Sequence, residues 1–132
     1  MMEMAFITPV YAGIFAIALV VLSWRVAHIR KKQETGLMRD NAHNELAAAV
    51  RAQANVVEYL PVAMLLMWML ESMGYAPFVL HTLGVFLIFA RLLHLHGLNN
   101  PSGNGPTRKL GTRLTWAQIV ISAVLCFAGA FA

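Results

Sequence analysis

Charge is scarce in this sequence: Asp, Glu, Lys and Arg together make up 12% of 132 residues, about half the share found in ordinary soluble domains. A fold wetted on every side is therefore excluded. Cysteine is almost missing, with Cys126 alone inside the last apolar stretch, which excludes a disulfide scaffold and a secreted domain stapled by one. Disorder is excluded as well, because 59% of the residues are apolar and such a chain has ample surface to bury. Acidic residues are few, six against ten basic ones. The basic residues sit between apolar stretches, where they set orientation in a membrane, so no nucleic-acid partner is expected.

What is present is apolar length. Residues 4–24, 72–90 and 114–132 contain no Asp, Glu, Lys or Arg, and each stretch is close to the roughly 20 residues a helix needs to cross a hydrocarbon layer. A fourth stretch, 46–71, has the length and apolar pattern but carries Arg51, Asn55 and Glu58 in its first half. It still counts as a span, since Tyr59 to Leu70 is uncharged and non-helical backbone at that depth would leave amides without partners. The expectation is an all-α, four-helix integral membrane domain covering 1–132, with spans at roughly 4–27, 46–71, 76–96 and 112–131. No Lys or Arg precedes the first apolar stretch, so it is expected to be a retained span, not a cleaved signal.

Arg25, Arg30, Lys31, Lys32 and Arg39 lie between the first and second spans, and Arg108, Lys109 and Arg113 between the third and fourth. By the positive-inside rule both basic connections face the cytoplasm, so the N-terminus, the turn at 74–77 and the C-terminus face outward, as in a bacterial inner membrane. Trp24 and Trp116 then fall at the headgroup boundary as anchors. Residues 99–106, Asn-Asn-Pro-Ser-Gly-Asn-Gly-Pro, are turn formers and read as a mobile cytoplasmic connection.

On a helix advancing about 100° per residue, Arg51, Asn55 and Glu58 fall within roughly 60° of one another. Each charge at membrane depth costs on the order of 2.5–3.5 kcal/mol, so the stripe is expected to face other helices or a wet cleft, not lipid. Arg51 and Glu58 are about 10 Å apart along the axis, too far to pair directly. A purely structural alternative pairs Glu58 with Arg91 of the third span. Three mixed groups beside a basic connection point instead to a ligand: arginine suits a carboxylate, glutamate an ammonium group and asparagine either, which together match a zwitterionic, peptide-like molecule. Pro61, one turn on, crowds the carbonyl of Val57 and either bends the helix or bares that carbonyl. His94 and His96 point to nearly opposite faces, so no metal pair is expected, and both read as boundary residues.

The stretch Arg51-Ala52-Gln53-Ala54-Asn55-Val56-Val57-Glu58-Tyr59-Leu60-Pro61 resembles the second-helix signature of the MAPEG family, the membrane-associated proteins in eicosanoid and glutathione metabolism. The resemblance extends to Phe89-Ala90-Arg91-Leu92, to Arg30, and to length and four-span order. It implies a homotrimer, with glutathione as co-substrate bound between neighbouring subunits near the cytoplasmic face and no metal. Carried over, Arg51, Asn55, Glu58 and Tyr59 would bind glutathione, with Gln53 and Arg30 as further contacts, Arg30 reaching from the adjacent subunit. An arginine near the start of the fourth helix would stabilise the thiolate, which attacks a hydrophobic electrophile or hydroperoxide arriving through lipid. Arg108 is the first candidate and Arg113 the second. A free thiol titrates near 8.5, so a nearby guanidinium raises the reactive share at neutral pH. The sequence departs from the better-known members, which carry tyrosines where His94 and Leu98 stand. Two alternatives remain: a non-catalytic member that binds a lipid or thiol, and a small proton-coupled exporter using Glu58, which the neighbouring arginines disfavour.

Overall fold

The computed structural model describes residues 6–33, 45–98 and 105–132. Four helices follow in order: α1 (Thr8–Gln33), α2 (Glu45–Ser72), α3 (Pro77–Leu98) and α4 (Pro106–Ala130). Each is long and apolar enough to cross a membrane. At 1.5 Å per residue they measure about 33–42 Å, more than a hydrocarbon layer of about 30 Å. Compared with the apolar stretches, α1 runs on to Gln33 and α4 starts early, at Pro106. The added turns are basic, and a helix has no reason to stop where lipid stops. Arg30, Lys31 and Lys32 lie in the last turn of α1, at the negative end of its dipole. Pro106 opens α4, where its missing N–H is no loss. Of the expected loop at 99–106, positions 99–104 lie outside the described residues, as do Arg39 and His43.

The chain folds up and down. α2 touches all three other helices, α3 and α4 form the closest pair, and among the described residues α1 and α4 do not meet. The α2–α3 turn is as short as the sequence implies. Gly74 adopts φ 83°, its N–H donates to the Glu71 carbonyl at 3.0 Å and the Tyr75 N–H donates to Leu70 at 3.1 Å. This is the Schellman closure, which favours glycine at the left-handed position. At the same end Glu71 reaches across to α1, where its carboxylate accepts from the Thr8 N–H at 2.8 Å and from the Ile7 N–H. A side chain of α2 thus satisfies amides that the first turn of α1 cannot. Nearby, Tyr11 and the His81 ring are hydrogen-bonded at 2.9 Å, and the Tyr75 hydroxyl donates to the Leu125 carbonyl at 2.5 Å.

At the opposite, basic end two glycines bring α3 and α4 together. A Cβ on Gly97 would lie 2.1 Å from the Arg108 backbone nitrogen, and one on Gly111 would lie 2.5 Å from that of His94. Only a residue without a side chain permits that approach, as small residues do between membrane helices. Core packing around Met67, Leu70, Leu80 and Leu87 is complete, whereas large apolar residues such as Ile17, Val20, Phe78 and Val124 remain exposed on the outer faces. Such a surface suits lipid or a second copy of the chain.

Candidate functional site at the basic end

The inward face of α2 is apolar, with Leu46, Ala49, Ala52, Val56 and Leu60 buried. The polar stripe lies on the other side. Arg51 and Glu58 are exposed and Asn55 is half-buried; the stripe does not face the chain's own helices. That direction follows from periodicity: once α2 buries its small and aliphatic residues against the other three helices, Arg51 and Glu58 turn outward, which leaves the wet cleft as the expected destination. Among the described residues neither has a hydrogen-bond or ion-pair partner. The Asn55 Oδ1 atom is buried without a partner as well.

The purely structural alternative, Glu58 paired with Arg91, is not what the structure shows. Arg91 is 5% exposed and donates to the Thr115 hydroxyl at 3.3 Å and to His94 Nδ1 at 3.1 Å. His94 is 2% exposed, sealed between α3 and α4. His96, by contrast, is exposed.

Tyr59 connects the stripe to α4. It sits next to Glu58 on the α4 side of α2, and its ring meets Trp116 edge-on, with centroids 6.4 Å apart and planes at 66°. Trp116 forms the floor of an open recess of about 350 Å³ lined by Arg108, Lys109, Thr112 and Arg113. Arg113 is exposed and Arg108 half-buried. Tyr59 and Trp116 thus mark the seam where α2 meets α4, and the residues that line the recess beside it are on α4. Arg51, Glu58 and Asn55 on α2 and the three cations on α4 offer between them groups for a molecule bearing both carboxylates and an ammonium group.

Two candidate residues lie elsewhere. Gln53 donates from Nε2 to the Ser23 hydroxyl at 2.9 Å, tying α2 to α1. Arg30 is on α1, which does not contact α4 in one chain, and its Nε atom is buried without a partner. Pro61 does not interrupt α2. With Val57, Ala12 and Phe15 it lines an apolar groove of about 200 Å³ between α1 and α2, away from the seam. No cluster of metal-ligand residues occurs among the described residues.

Lys109 and Thr112 were not singled out by sequence; their signal is spacing, since residues 109, 112, 113 and 116 share a helix face. The buried polar residues Thr115, Gln118 and Ser122 were also missed, although they too recur at helical spacing in an otherwise apolar span.

The chain matches the MAPEG family over residues 8–128. It is 29% identical over 115 residues to the inner membrane protein YecN of Escherichia coli strain K12, covering 87% of this chain and 86% of that protein. The same figures hold for YecN of Escherichia coli O6:H1 strain CFT073.

Proposed function

Because the chain belongs to the MAPEG family, we propose that it is a membrane glutathione-dependent transferase or peroxidase acting on hydrophobic electrophiles. One observation carries this reading: Arg51 and Glu58 are charged, set in a helix able to span a membrane, and exposed, with no partner among the described residues. A charge so placed needs a counterpart, and glutathione, with two carboxylates and one ammonium group, supplies both signs. Arg51 takes a carboxylate, Glu58 the ammonium group, Asn55 an amide N–H, and Tyr59 closes the seam.

The working unit is a homotrimer in a bacterial inner membrane, with both basic connections in the cytoplasm; the name of the YecN relative supports the location. Arg30 reaches the seam from a neighbouring copy, a reading with which the lack of α1–α4 contact within one chain is consistent. The thiol proton passes to water at the headgroup boundary, and Arg108 or Arg113 stabilises the sulfur anion that remains. That thiolate forms a bond to an electrophilic carbon, displacing a leaving group with its bonding pair, or attacks a peroxide oxygen and breaks the O–O bond, giving glutathione sulfenic acid and an alkoxide that takes a proton from water, after which a second glutathione converts the sulfenic acid to disulfide and water. Stabilising the negative charge on the sulfur is the protein's contribution; the electrophile arrives through lipid.

A second reading, binding without turnover, draws on His94. A residue sealed against Arg91 cannot donate to a substrate on the surface, so the tyrosine-like role that the resemblance suggests for this position is unfilled. Ultraviolet absorbance of the thiolate on adding glutathione separates the readings. The transferase reading expects thiolate in the parent protein, its loss with binding retained in Arg108→Ala or Arg113→Ala, and turnover of a model electrophile. Binding without thiolate and without turnover in the parent selects the second reading, and no binding at all rejects both.

A further inference from the structure

Between α3 and α4 lies a second set of polar groups that the outward seam does not use. Thr115, Gln118 and Ser122 follow at spacings of three and four, so they form one stripe on α4. All three are 0% exposed. Thr115 is satisfied: its hydroxyl donates to the Gly111 carbonyl at 2.8 Å and accepts from Arg91. Gln118 is not, since both its Nε2 and its Oε1 lack a protein partner, and the same holds for Ser122 Oγ and Arg91 Nε. The column starts at Arg91 and His94 and descends about 10 Å along α4, seven residues at 1.5 Å each.

We infer that this column is an internal hydration site: a short file of about two or three ordered water molecules linking Arg91 to Gln118 and Ser122 inside each protomer. The mixture of groups selects the ligand. Arg91 Nε and Gln118 Nε2 donate, Gln118 Oε1 accepts, and the Ser122 hydroxyl does either. An anion would answer the donors and leave the amide oxygen facing like charge; an apolar molecule would answer none. Water both donates and accepts, and is what buried polar groups usually recruit when protein partners are missing. It also shields the guanidinium of Arg91, whose two bonds on the chain go to neutral groups, a hydroxyl and an imidazole nitrogen. A buried cation with only neutral partners needs such solvation. The site is enclosed within one chain, and its Arg91–His94 end lies close enough to Tyr59 and Arg108 to interact with them electrostatically.

Water-edited solid-state NMR on the full-length protein in lipid bilayers tests this directly, with labelled side-chain nitrogens of Arg and Gln and methyl groups of Leu. The expected result is rapid magnetisation transfer from water to the Gln118 amide and Arg91 Nε, as fast as to exposed Arg113, while Leu87 in the same bundle stays dark. In Gln118→Met, which keeps volume and removes both polar atoms, transfer to Arg91 Nε slows while the spectrum stays folded. Should that variant fail to fold, the parent spectrum still decides. Slow transfer to Gln118 in the parent, or transfer equally fast to Leu87, overturns the inference, the first because the column is dry and the second because the wetting is not specific to it.

Discussion

The two ends of the bundle treat polar groups in opposite ways. At the end carrying the α2–α3 turn, Glu71 is held by amides of α1, Tyr11 by His81 and Tyr75 by the Leu125 carbonyl. These groups are used up in holding helices to one another. At the basic end Arg51 and Glu58 face outward without partners among the described residues, and Asn55 Oδ1 and Arg30 Nε are buried unsatisfied there. Polar groups in a membrane chain are expensive wherever they sit, so a set matched internally serves the fold, and a set of charges left both unmatched and exposed is kept for something outside the chain.

The sharpest way to break this contrast is to truncate one residue from each end. Arg51→Ala or Glu58→Ala should weaken glutathione binding by about 2–5 kcal/mol, the usual cost of removing one partner of a buried charged contact, and leave the melting temperature of the unliganded protein near the parent's. Calorimetric titration and thermal unfolding check the two halves. Glu71→Ala should do the reverse, lowering stability by about 1–3 kcal/mol as two amides lose their acceptor, with glutathione affinity unchanged; equal loss of binding in this variant would erase the distinction. Gly111→Ala should destabilise by about 1–3 kcal/mol, because its Cβ would press on the α3 backbone and packed helices resist such insertion. It should also impair thiolate formation, since α4 carries the recess; thermal unfolding and ultraviolet absorbance report each effect. The smallest change is expected of Tyr75→Phe, about 1 kcal/mol for one hydrogen bond, read as a small drop in melting temperature with ligand binding intact.

Much of this contrast was legible in the sequence. Apolar length gave four helices, Gly74 and Pro77 gave the short turn, and the spacing of Arg51, Asn55 and Glu58 gave a single stripe. Direction was not legible. A stripe excluded from lipid has two destinations, the interior of its own bundle or the surface where another molecule docks, and periodicity along one helix cannot choose between them. The choice depends on which face of α2 the other helices claim, and they claim the side with Ala49, Ala52 and Val56. The burial of Arg91 and His94 was not legible for the same reason. Gly97 and Gly111 let α3 and α4 close around His94, an outcome set by two residues without side chains on two different helices. The seam at Tyr59 and Trp116 likewise joins positions 57 residues apart, beyond the reach of any local pattern.

The central claim is that the outward stripe holds a zwitterionic thiol tripeptide, and equilibrium binding of glutathione to the purified, lipid-reconstituted protein tests it most directly, alongside Arg51→Ala and Glu58→Ala. The account predicts saturable binding to the parent and its loss in both variants while each remains folded. Absence of saturable binding to the parent, or undiminished binding in both variants, would contradict it.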